Sequence, residues 1–561
     1  MGRQDSGKQW LGGLLVAWAL VNFFQAALTE LDPDEAYYWM YSLELGWGYF
    51  DHPPAVALMI RAGTLIFSGE LGVRFWFVLL QPFSFYFIWL LAGKPSQKRD
   101  VLTFIGLLAA IPILEAYGFV ATPDGPLLFF TAVFLWLYRQ FLKEEGWLYT
   151  VLLGACMAAL LYSKYHGVLL IFFVLLSNLS LLRRPAFYLA SAFGFFLFLP
   201  HLFWQYEHGF PSFLYHLQGR DDVYQLKYTT TYLLNQLAIF NPFLFPMLAW
   251  VLWKRRPEGT MERAYRFLLY GFWAFFFYTS FKGHVEPQWT AVLSFPIVLA
   301  LFKECRQNPA FARWARIFSL VTIFLLLAAR LELAFNWTGL KSEFHRRQWV
   351  YELQEQAGKY PVLFHNTYRD VSKYSFYSGR KAYAFSDIEY RPNQFDIWDW
   401  EQELHNKTVL LAAQNSWQCE SCQQVEFTRK SFKLQVLDSL QVFGRVQGFL
   451  PGRLGENWKI DQRIDFSLKF FNPYSHDIDF KKGTLPITGR GVFLRDGVPQ
   501  SYPLVQLSGR PLALPAGDTT AFEAQFSVPD SLAGAYQFGI GLSWDGLPPD
   551  VKSELVEVRV E

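Results

Sequence analysis

The sequence has little charge of either sign. Asp, Glu, Lys and Arg make up only 17% of its 561 residues, whereas soluble globular proteins contain about 25%. The 50 basic and 48 acidic side chains leave a net charge of +2, which gives no electrostatic basis for nucleic-acid binding. The composition therefore argues against a chain built only of soluble domains and excludes nucleic acid as an expected partner.

Cysteine is equally scarce. Four Cys residues in a chain of this length cannot form a disulfide framework. Only Cys419 and Cys422 lie close together, and a lone Cys-x-x-Cys pair lacks the four ligands of a structural zinc site. We expect these two residues to form a local disulfide in an oxidising compartment. The sequence also shows no internal repeat.

Apolar and aromatic residues are abundant instead, at 52% and 19% of the chain. Aromatic rings at this frequency are typical of membrane proteins, where they line the interfaces. Apolar runs long enough to cross a bilayer predict about eleven spans before residue 336. These runs are residues 10–28, 72–92, 101–120, 125–142, 147–163, 165–182, 186–204, 229–253, 267–281, 288–302 and 317–335. We expect the first run to be an uncleaved anchor, because ten further runs follow it.

Basic residues collect in alternate loops between these runs, which the positive-inside rule assigns to the cytoplasm. The loops on the opposite side are then residues 29–69, 121–124, 164–166, 205–227 and 282–287, together with everything after residue 335. The sequence therefore predicts a protein of the cytoplasmic (inner) membrane whose polar loops and C-terminal region face the periplasmic or outer side.

After residue 335 the long apolar runs end, and the sequence changes to mixed polar and apolar runs. A helical stretch at residues 350–359 and short apolar runs predict a small outer α/β domain over residues 336–440. Alternating runs separated by Gly, Pro and Asp predict an outer β-sandwich over residues 441–561. The expected fold class is a multi-pass α-helical membrane domain, residues 1–335, followed by a soluble α/β plus β-sandwich region.

The first outer loop contains two acidic clusters. Asp34 and Glu35 follow Asp32-Pro33, and Asp51 and His52 precede two prolines. Carboxylates just outside a span, next to amphipathic aromatic stretches, indicate an acidic centre held by interfacial helices. A purely structural interpretation is a Pro-started helix capped by Asp32, although this leaves the cluster at Asp51 unexplained.

Further ionisable residues lie in the other outer loops. Asp124, taken alone, is better explained as a helix cap than as a catalytic group. Lys164 and His166 separate two spans with scarcely any loop, a costly position unless the side chains are functional or extend to the interface. Lys282 and His284 add cationic groups on the same side. The loop after the seventh span contributes His201, Glu207, His208, Arg220, Asp221 and Asp222.

The order and spacing of these residues resemble a known superfamily. The pattern consists of Asp34-Glu35, the segment Tyr49-Phe50-Asp51-His52-Pro53-Pro54, Arg74, Pro123-Asp124, Lys164 and the stretch from His284 to Trp289. It is similar to bacterial polyprenyl-phosphate-sugar-dependent glycosyltransferases of the GT-C fold, the superfamily of protein O-mannosyltransferases and the lipid A aminoarabinose transferase. The resemblance covers about residues 10–335, and the segment from Arg391 to Trp398 extends it to the outer domain.

The resemblance implies roles for individual residues. Asp34 would be the base or the acceptor-orienting carboxylate, and Asp124 a second catalytic carboxylate. The expected substrate-binding residues are Glu35, Tyr37, Asp51, His52, Lys164, His166, Lys282 and His284. Within this set, Glu35 and Asp51 would hold the loop or bind substrate, while Lys164, Lys282, His52 and His284 would contact the lipid phosphate. This chain has His52 and Tyr37 where the aminoarabinose transferase has a Lys and an Arg.

We expect no obligatory metal, because cationic side chains can neutralise a departing monophosphate. The alternative is a Mg²⁺ or Mn²⁺ site formed by Asp34, Glu35 and Asp124.

The resulting hypothesis is a membrane glycosyltransferase. It would transfer one sugar from a polyprenyl-phosphate donor to lipid A, another envelope glycan or a protein at the outer face of the membrane. A transporter or flippase for lipid-linked sugars is an alternative, but such proteins place charges at the midplane, often in two related halves. A non-catalytic envelope scaffold is a third interpretation. The outer sandwich shows no catalytic constellation, and we expect it to position the acceptor or a partner.

Overall fold

The computed structural model describes residues 2–144, 146–217, 223–340, 342–414, 419, 422–451, 454–509 and 512–561. The chain divides into two compact units, Met1–His345 and Arg346–Glu561. The first unit is helical, and the second contains all the strands of the described residues. The predicted fold class, a helical membrane domain followed by a strand-rich soluble region, is confirmed.

The first unit is a bundle of α-helices joined by short loops. Its helices are Gly2–Leu28 (α1), Pro33–Leu43 (α2), Ala55–Thr64 (α3), Gly69–Leu91 (α4), Lys98–Ala109 (α5), Pro112–Ala116 (α6), Asp124–Lys143 (α7), Trp147–Ser163 (α8), Gly167–Ser177 (α9), Pro185–Glu207 (α10), Pro211–Leu217 (α11), Leu226–Ile239 (α12), Leu244–Lys254 (α13), Gly259–Thr279 (α14), Ser294–Gln307 (α15) and Pro309–Phe335 (α16). Short 3-10 helices at Leu179–Arg183, Pro287–Leu293 and Glu343–His345 complete the unit. The two amphipathic stretches predicted in the first outer loop form α2 and α3.

Five of the described helices are long and apolar enough to cross a membrane: α1, α4, α7, α10 and α16. A bent pair, α12 and α13, makes a sixth span if its members cross together. These helices make the protein an integral membrane protein. The count of about eleven spans is not confirmed, because several apolar runs form helices that are short or interrupted.

Proline and asparagine explain two of the interruptions. The run at residues 101–120 stops at Ala109, and a separate short helix starts at Pro112, which lacks the N–H that helix continuation needs. The run at residues 229–253 bends by 96° between α12 and α13. At this bend Asn241 adopts a positive φ of 76°, and its side chain accepts hydrogen bonds from the N–H groups of Phe243 and Leu244.

Small residues bring two of the helices close together. A Cβ at Gly154 of α8 would lie 2.4 Å from the carbonyl oxygen of Ala190 on α10, and a Cβ at Gly194 would lie 2.7 Å from that of Gly154. Helices in membranes pack through such small residues because apolar lipid gives them no hydrophobic driving force. These two glycines therefore allow the α8–α10 contact.

The second unit begins with an α/β region. Its helices are Gln348–Ala357 (α17) and Tyr368–Ser378 (α18), and its strands are Val362–His365 (β1), Tyr383–Phe385 (β2), Val409–Ala413 (β3), Gln423–Phe427 (β4) and Lys430–Leu437 (β5). The sheet order is β2-β1-β3-β5-β4, with β1 parallel to both of its neighbours. Strands β1 and β3 are buried along their whole length, as expected for the centre of a sheet that is covered on both faces. Cys419 and Cys422 form the predicted disulfide.

Twelve further strands complete the second unit. They are Gln447–Phe449 (β6), Asn457–Trp458 (β7), Arg463–Phe471 (β8), Ile478–Asp479 (β9), Ile487–Arg495 (β10), Val498–Ser501 (β11), Leu504–Ser508 (β12), Ala513–Leu514 (β13), Thr519–Ser527 (β14), Gly534–Trp544 (β15), Asp550–Val551 (β16) and Val556–Val560 (β17). Ten of them form one hydrogen-bonded sheet in which β12 and β10 separate β14 from β15. The rings of Phe526 and Phe538 nevertheless stack 5.2 Å apart, so the sheet folds over and its two halves enclose a core between them.

Candidate active site

The acidic start of α2 is a capping box. A side-chain oxygen of Asp32 accepts a hydrogen bond from the N–H of Asp34 at 2.9 Å, and Glu35 Oε2 accepts one from the N–H of Asp32 at 3.0 Å. These bonds satisfy N–H groups at the start of the helix that have no partner within it. The capping interpretation is therefore confirmed for Asp32. Asp34 lies half-buried in the first turn of the helix.

Glu35 also forms a fully buried ion pair with Arg74 of α4. Arg74 Nε donates to Glu35 Oε1 at 2.7 Å, and the same oxygen accepts a hydrogen bond from the N–H of Ala121 at 2.7 Å. The guanidinium also donates to three carbonyl oxygens, those of Ala26, Thr29 and Glu30. A buried pair is tolerated when both groups are hydrogen-bonded in this way. It joins the end of α1, α2, α4 and the turn before α7.

Asp124 pairs with Lys164 across the helix bundle. Lys164 Nζ lies 2.8 Å from both carboxylate oxygens, and both side chains are buried. Asp124 is the first residue of α7, where the capping position belongs to Pro123 and no side-chain cap bond forms. The interpretation of Asp124 as a helix cap is therefore wrong. Lys164 does not extend to the interface either, because only 6% of its side chain is exposed.

Carboxylates from three separate segments gather around Tyr117, which follows α6. Its side chain lies within electrostatic range of Asp124, Glu286 and Asp32. The start of α2, the start of α7 and the loop before residue 287 therefore converge at one end of the helical unit.

Asp51 belongs to the same end of the unit. Its Oδ2 accepts a hydrogen bond from the hydroxyl group of Tyr41 at 3.1 Å, and its backbone oxygen lies 3.2 Å from His216 Nε2. Asp51 also interacts electrostatically with Tyr165, the residue after Lys164. The adjacent His52 packs its ring 5.5 Å from that of Tyr38. The second acidic cluster therefore lies within electrostatic range of Tyr165, the chain neighbour of Lys164.

The remaining expected substrate-binding residues differ in exposure. His166 lies next to Trp289, with 5.4 Å between the ring centroids. Lys282 and His284 are exposed, and His284 Nε2 lies 3.8 Å from Glu286 Oε1. Tyr37 is buried and packs against Tyr41. Arg220, Asp221 and Asp222 lie outside the described residues.

The sequence did not indicate a chain of hydrogen bonds that starts at Tyr165, the residue after Lys164. The hydroxyl of Tyr165 lies 2.9 Å from His201 Nε2 and 3.1 Å from Gln205 Nε2, and His201 Nδ1 lies 2.7 Å from the carbonyl oxygen of Trp47. The sequence predicts His201 in the loop after the seventh span, but the residue is buried on α10. Polar residues inside an apolar run were the signal that could have identified this chain.

A third buried ion pair was not predicted from the sequence. Arg330 Nε of α16 lies 2.6 Å from Glu115 Oε2, and Arg330 Nη2 donates to Asn22 Oδ1 of α1 at 2.8 Å. The guanidinium carbons of Arg330 and Arg74 lie 5.3 and 5.6 Å from the ring centroid of Phe119. Charges within two predicted spans were the available signal. The pair fixes the turn that leads to Asp124.

The proposed carboxylate metal site is not assembled in the described residues. No group of three or more His, Cys, Asp and Glu side chains among them could hold a metal ion. Glu35 is paired with Arg74 and Asp124 with Lys164, so two of the three carboxylates considered for this site are directed toward cationic side chains. Independence from a metal stays a prediction.

Known proteins share both sequence and fold with this chain. The family model described as dolichyl-phosphate-mannose-protein mannosyltransferase matches residues 51–204, a range that contains Asp51, Arg74, Asp124 and Lys164. The lipid A galacturonosyltransferase RgtD of Rhizobium johnstonii is 23% identical over 323 residues, which cover 54% of this chain and 61% of that protein.

Two crystal structures of ArnT from Cupriavidus metallidurans show the same architecture. The apo structure matches with a TM-score of 0.56 at 13% identity, and the structure bound to undecaprenyl phosphate matches with a TM-score of 0.54 at 16% identity. Each match covers 75% of this chain and 97% of the ArnT chain. The chain has the GT-C fold, and its resemblance to the polyprenyl-phosphate-sugar-dependent glycosyltransferases of that fold is confirmed.

Proposed function

We propose that this protein is a membrane glycosyltransferase that moves one sugar from a polyprenyl-phosphate donor to a hydroxyl group of lipid A or another envelope glycan. The observation that supports this most is the buried Asp124–Lys164 pair, which lies at the same end of the helical unit as the acidic start of α2. The relative RgtD is named a lipid A galacturonosyltransferase, and ArnT has been crystallised with undecaprenyl phosphate. A protein hydroxyl group is the other acceptor that the same chemistry accommodates.

The reaction forms a bond between the acceptor oxygen and the anomeric carbon of the donor sugar. The bond from that carbon to the phosphate oxygen breaks, and polyprenyl phosphate leaves with the electron pair. Asp34 takes the proton of the acceptor hydroxyl as general base. Because Asp34 lies in the first turn of α2, whose capping box fixes the backbone, its carboxylate is held at the site without serving as the cap itself.

Lys164 stabilises the departing phosphate. An ammonium group has three N–H donors, and the two oxygens of Asp124 hold Lys164 Nζ in place. A remaining donor is directed to a phosphate oxygen in this mechanism, where charge-assisted hydrogen bonds are strong. His166, one residue before the start of α9, adds a donor beside a helix N-terminus that favours anions.

Three further basic side chains, the exposed Lys282 and His284 and the half-buried His52, complete the proposed phosphate site. Lys282 and His284 precede the short helix at Pro287–Leu293, and His52 lies next to Asp51. Glu35 has a different role, because its pairing with Arg74 and Ala121 makes it a positioning residue for the loop. Tyr37 contributes through packing of α2, and Asp51 through its contact with Tyr41.

The distribution of basic residues supports an active site on the outer side of the cytoplasmic membrane. Basic loops alternate with the loops that contribute Asp34, Asp124 and Lys164, and the positive-inside rule assigns the basic ones to the cytoplasm.

The proposal is tested by mass spectrometry of envelope glycolipids and glycoproteins from cells that lack the gene. We expect deletion to remove one defined sugar and the wild-type gene to restore it. Asp34→Asn should lower transfer by about 10²–10⁴-fold, the usual contribution of a general base. Asp32→Asn is the matched control, because Asn caps helices as well as Asp does, and it should restore the sugar fully.

Full restoration by a normally expressed Asp34→Asn protein would contradict the catalytic assignment. Movement of lipid-linked sugar across vesicle membranes without transfer would then identify a transporter. If the protein showed neither transport nor transfer, the scaffold interpretation would remain.

A further inference from the structure

A large cavity lies at the opposite end of the helical unit from the candidate active site. It has a volume of about 620 Å³ and lies between the ends of α4, α7, α13, α14 and α15. Helix α7 shows the separation, because Asp124 is its first residue and Arg139, which lines the cavity, follows fifteen residues later. This distance is about 22 Å along the helix.

The charged lining of this basic cavity is mainly cationic. Its cations are Arg139, Arg255, Arg256, Arg266, Lys303 and Arg306. Three glutamates also line the cavity, which leaves a net charge of +3. Ion pairs account for two of the cations. Arg255 donates to both oxygens of Glu304 at 2.8 and 2.9 Å, and Lys303 lies 2.8 and 2.6 Å from the carboxylates of Glu258 and Glu262.

No carboxylate of the described cavity lining pairs with the other cations. Arg139 donates to the carbonyl oxygen of Leu90 at 2.9 Å, and Arg266 donates to the carbonyl oxygens of Leu252 and Arg255. These carbonyls lie at the C-terminal ends of α4 and α13, where helices leave acceptors without partners. Such bonds hold each guanidinium in a fixed position but do not neutralise it.

Arg256 and Arg306 are less constrained. Within the described ranges, Arg256 makes no hydrogen bond or ion pair with a side chain. Arg306 has one distant partner, with its Nε 3.9 Å from Asp100 Oδ2. Both guanidinium groups therefore retain donors for an anion, and their removal would break few bonds of the fold.

Leucines cover another part of the same cavity. Leu91, Leu252, Leu269 and Leu299 line it. Nearby, Trp253 is 77% exposed, and Lys254 Nζ lies 4.2 Å from its ring. Exposed Trp and Lys residues at the end of an apolar helix mark the level of the lipid headgroups. The basic cavity therefore opens where a phospholipid can place its phosphate among cations and its acyl chains along leucines.

We propose that the basic cavity binds the headgroup phosphate of an anionic phospholipid. Basic pockets between transmembrane helices provide this kind of recognition because they combine a desolvated cationic surface with apolar walls. The site is independent of the proposed glycosyl transfer, since none of its lining residues belongs to the candidate active site. Free phosphate has the same charge chemistry, and the leucine lining favours the lipid.

The test uses the full-length protein, purified in neutral detergent and stripped of lipid. Native mass spectrometry measures lipid retained after titration with a phosphatidylglycerol or with phosphatidylcholine of the same chains. We expect the phosphatidylglycerol to be retained preferentially. The Arg256→Gln/Arg306→Gln variant should bind it roughly 25-fold more weakly, because each basic side chain near an anionic lipid contributes about fivefold.

Arg183→Gln is the matched control, an exposed arginine from another loop that does not line the cavity, and it should bind the lipid as the wild type does. Thermal unfolding in phosphatidylcholine checks that the double variant folds. Arg139→Gln tests a guanidinium fixed by a helix end and should also weaken retention. Asp34→Asn should retain phosphatidylglycerol normally, so that failure of the lipid site and failure of the transferase assignment are separate results.

Equal retention of the two lipids by the wild type would overturn the proposal. So would unchanged retention of phosphatidylglycerol by the folded double variant. Inorganic phosphate and glycerol 1-phosphate are tested as competitors. If either displaced the lipid at a concentration equal to that of the lipid, the site would be one for a soluble phosphate and the lipid assignment would be wrong.

Discussion

At the scale of single residues, the Asp124–Lys164 pair has two separable contributions. Its charges stabilise each other in a buried position, and in the proposed mechanism its ammonium group also contacts the phosphate. Removing one charge of a buried pair costs about 3–5 kcal/mol, whereas replacing both with apolar side chains is often neutral. The pair therefore allows stability and activity to be measured apart.

We expect Asp124→Leu and Lys164→Met each to lower the free energy of unfolding by about 3–5 kcal/mol. The double variant should regain most of this stability while transfer remains lost. Thermal unfolding in detergent and a transfer assay with polyprenyl-phosphate sugar provide the two readouts. A stable double variant with normal transfer would show that the pair is only structural.

At the scale of elements, Arg74 anchors the first outer loop. One guanidinium joins the end of α1 and the start of α2 to α4, through three carbonyl oxygens and Glu35. Lysine has a single nitrogen and cannot reproduce a planar group that donates in several directions. The position of α2, and with it that of Asp34, depends on this geometry.

Arg74→Lys should therefore loosen α2 even though the charge is kept. We expect a loss of about 2 kcal/mol locally, the value of one charge-assisted hydrogen bond, and amide exchange over Pro33–Leu43 that is roughly 30-fold faster. Hydrogen exchange followed by mass spectrometry measures this. Arg61→Lys, an exposed substitution on α3, should leave exchange unchanged. Equal protection of α2 in both variants would contradict the anchoring role.

At the scale of the whole molecule, the stability of the second unit should depend on pH. The rings of His405 and His476 stack with centroids 3.6 Å apart. Burial, with the nearby His476 and Lys482, lowers the pKa of His405 to about 4, and burial lowers the pKa of His476. In an unfolded chain the pKa of His is about 6.5.

Between these values the unfolded state binds more protons than the folded state, so the free energy of unfolding falls as the pH is lowered from about 6.5 to about 4. Denaturant unfolding across this range measures the slope. His405→Gln should flatten it, whereas His208→Gln, at an exposed position of the first unit, should not. An unchanged slope in His405→Gln would show that other groups cause the acid sensitivity.

The second unit also permits a test of its role in transfer. A chain that ends at residue 345 retains the whole candidate active site, because the described residues of that site all precede this point. We expect it to bind polyprenyl phosphate but to lose transfer to the native acceptor. Native mass spectrometry and the envelope glycolipid profile measure the two properties. Unchanged transfer would remove the positioning role of residues 346–561.

The sequence by itself determined the local features of the protein. Apolar runs identified α1, α4, α7, α10 and α16, because the hydropathy of about twenty consecutive residues decides whether a helix can span a membrane. The cap at Asp32 and the fold class were equally readable, since capping and strand alternation depend on near neighbours in the chain. The same local information could not count the spans, because interrupted helices resemble continuous ones in hydropathy.

Tertiary structure alone decided which charges meet. The sequence placed Asp124 and Lys164 on one side of the membrane, but their pairing over 40 residues depends on how α7, α8 and α9 pack. Glu35 became a partner of Arg74, and Arg330 a partner of Glu115, for the same reason. A buried charge requires an opposite charge and hydrogen bonds at close range, and only the packed helices bring those groups together.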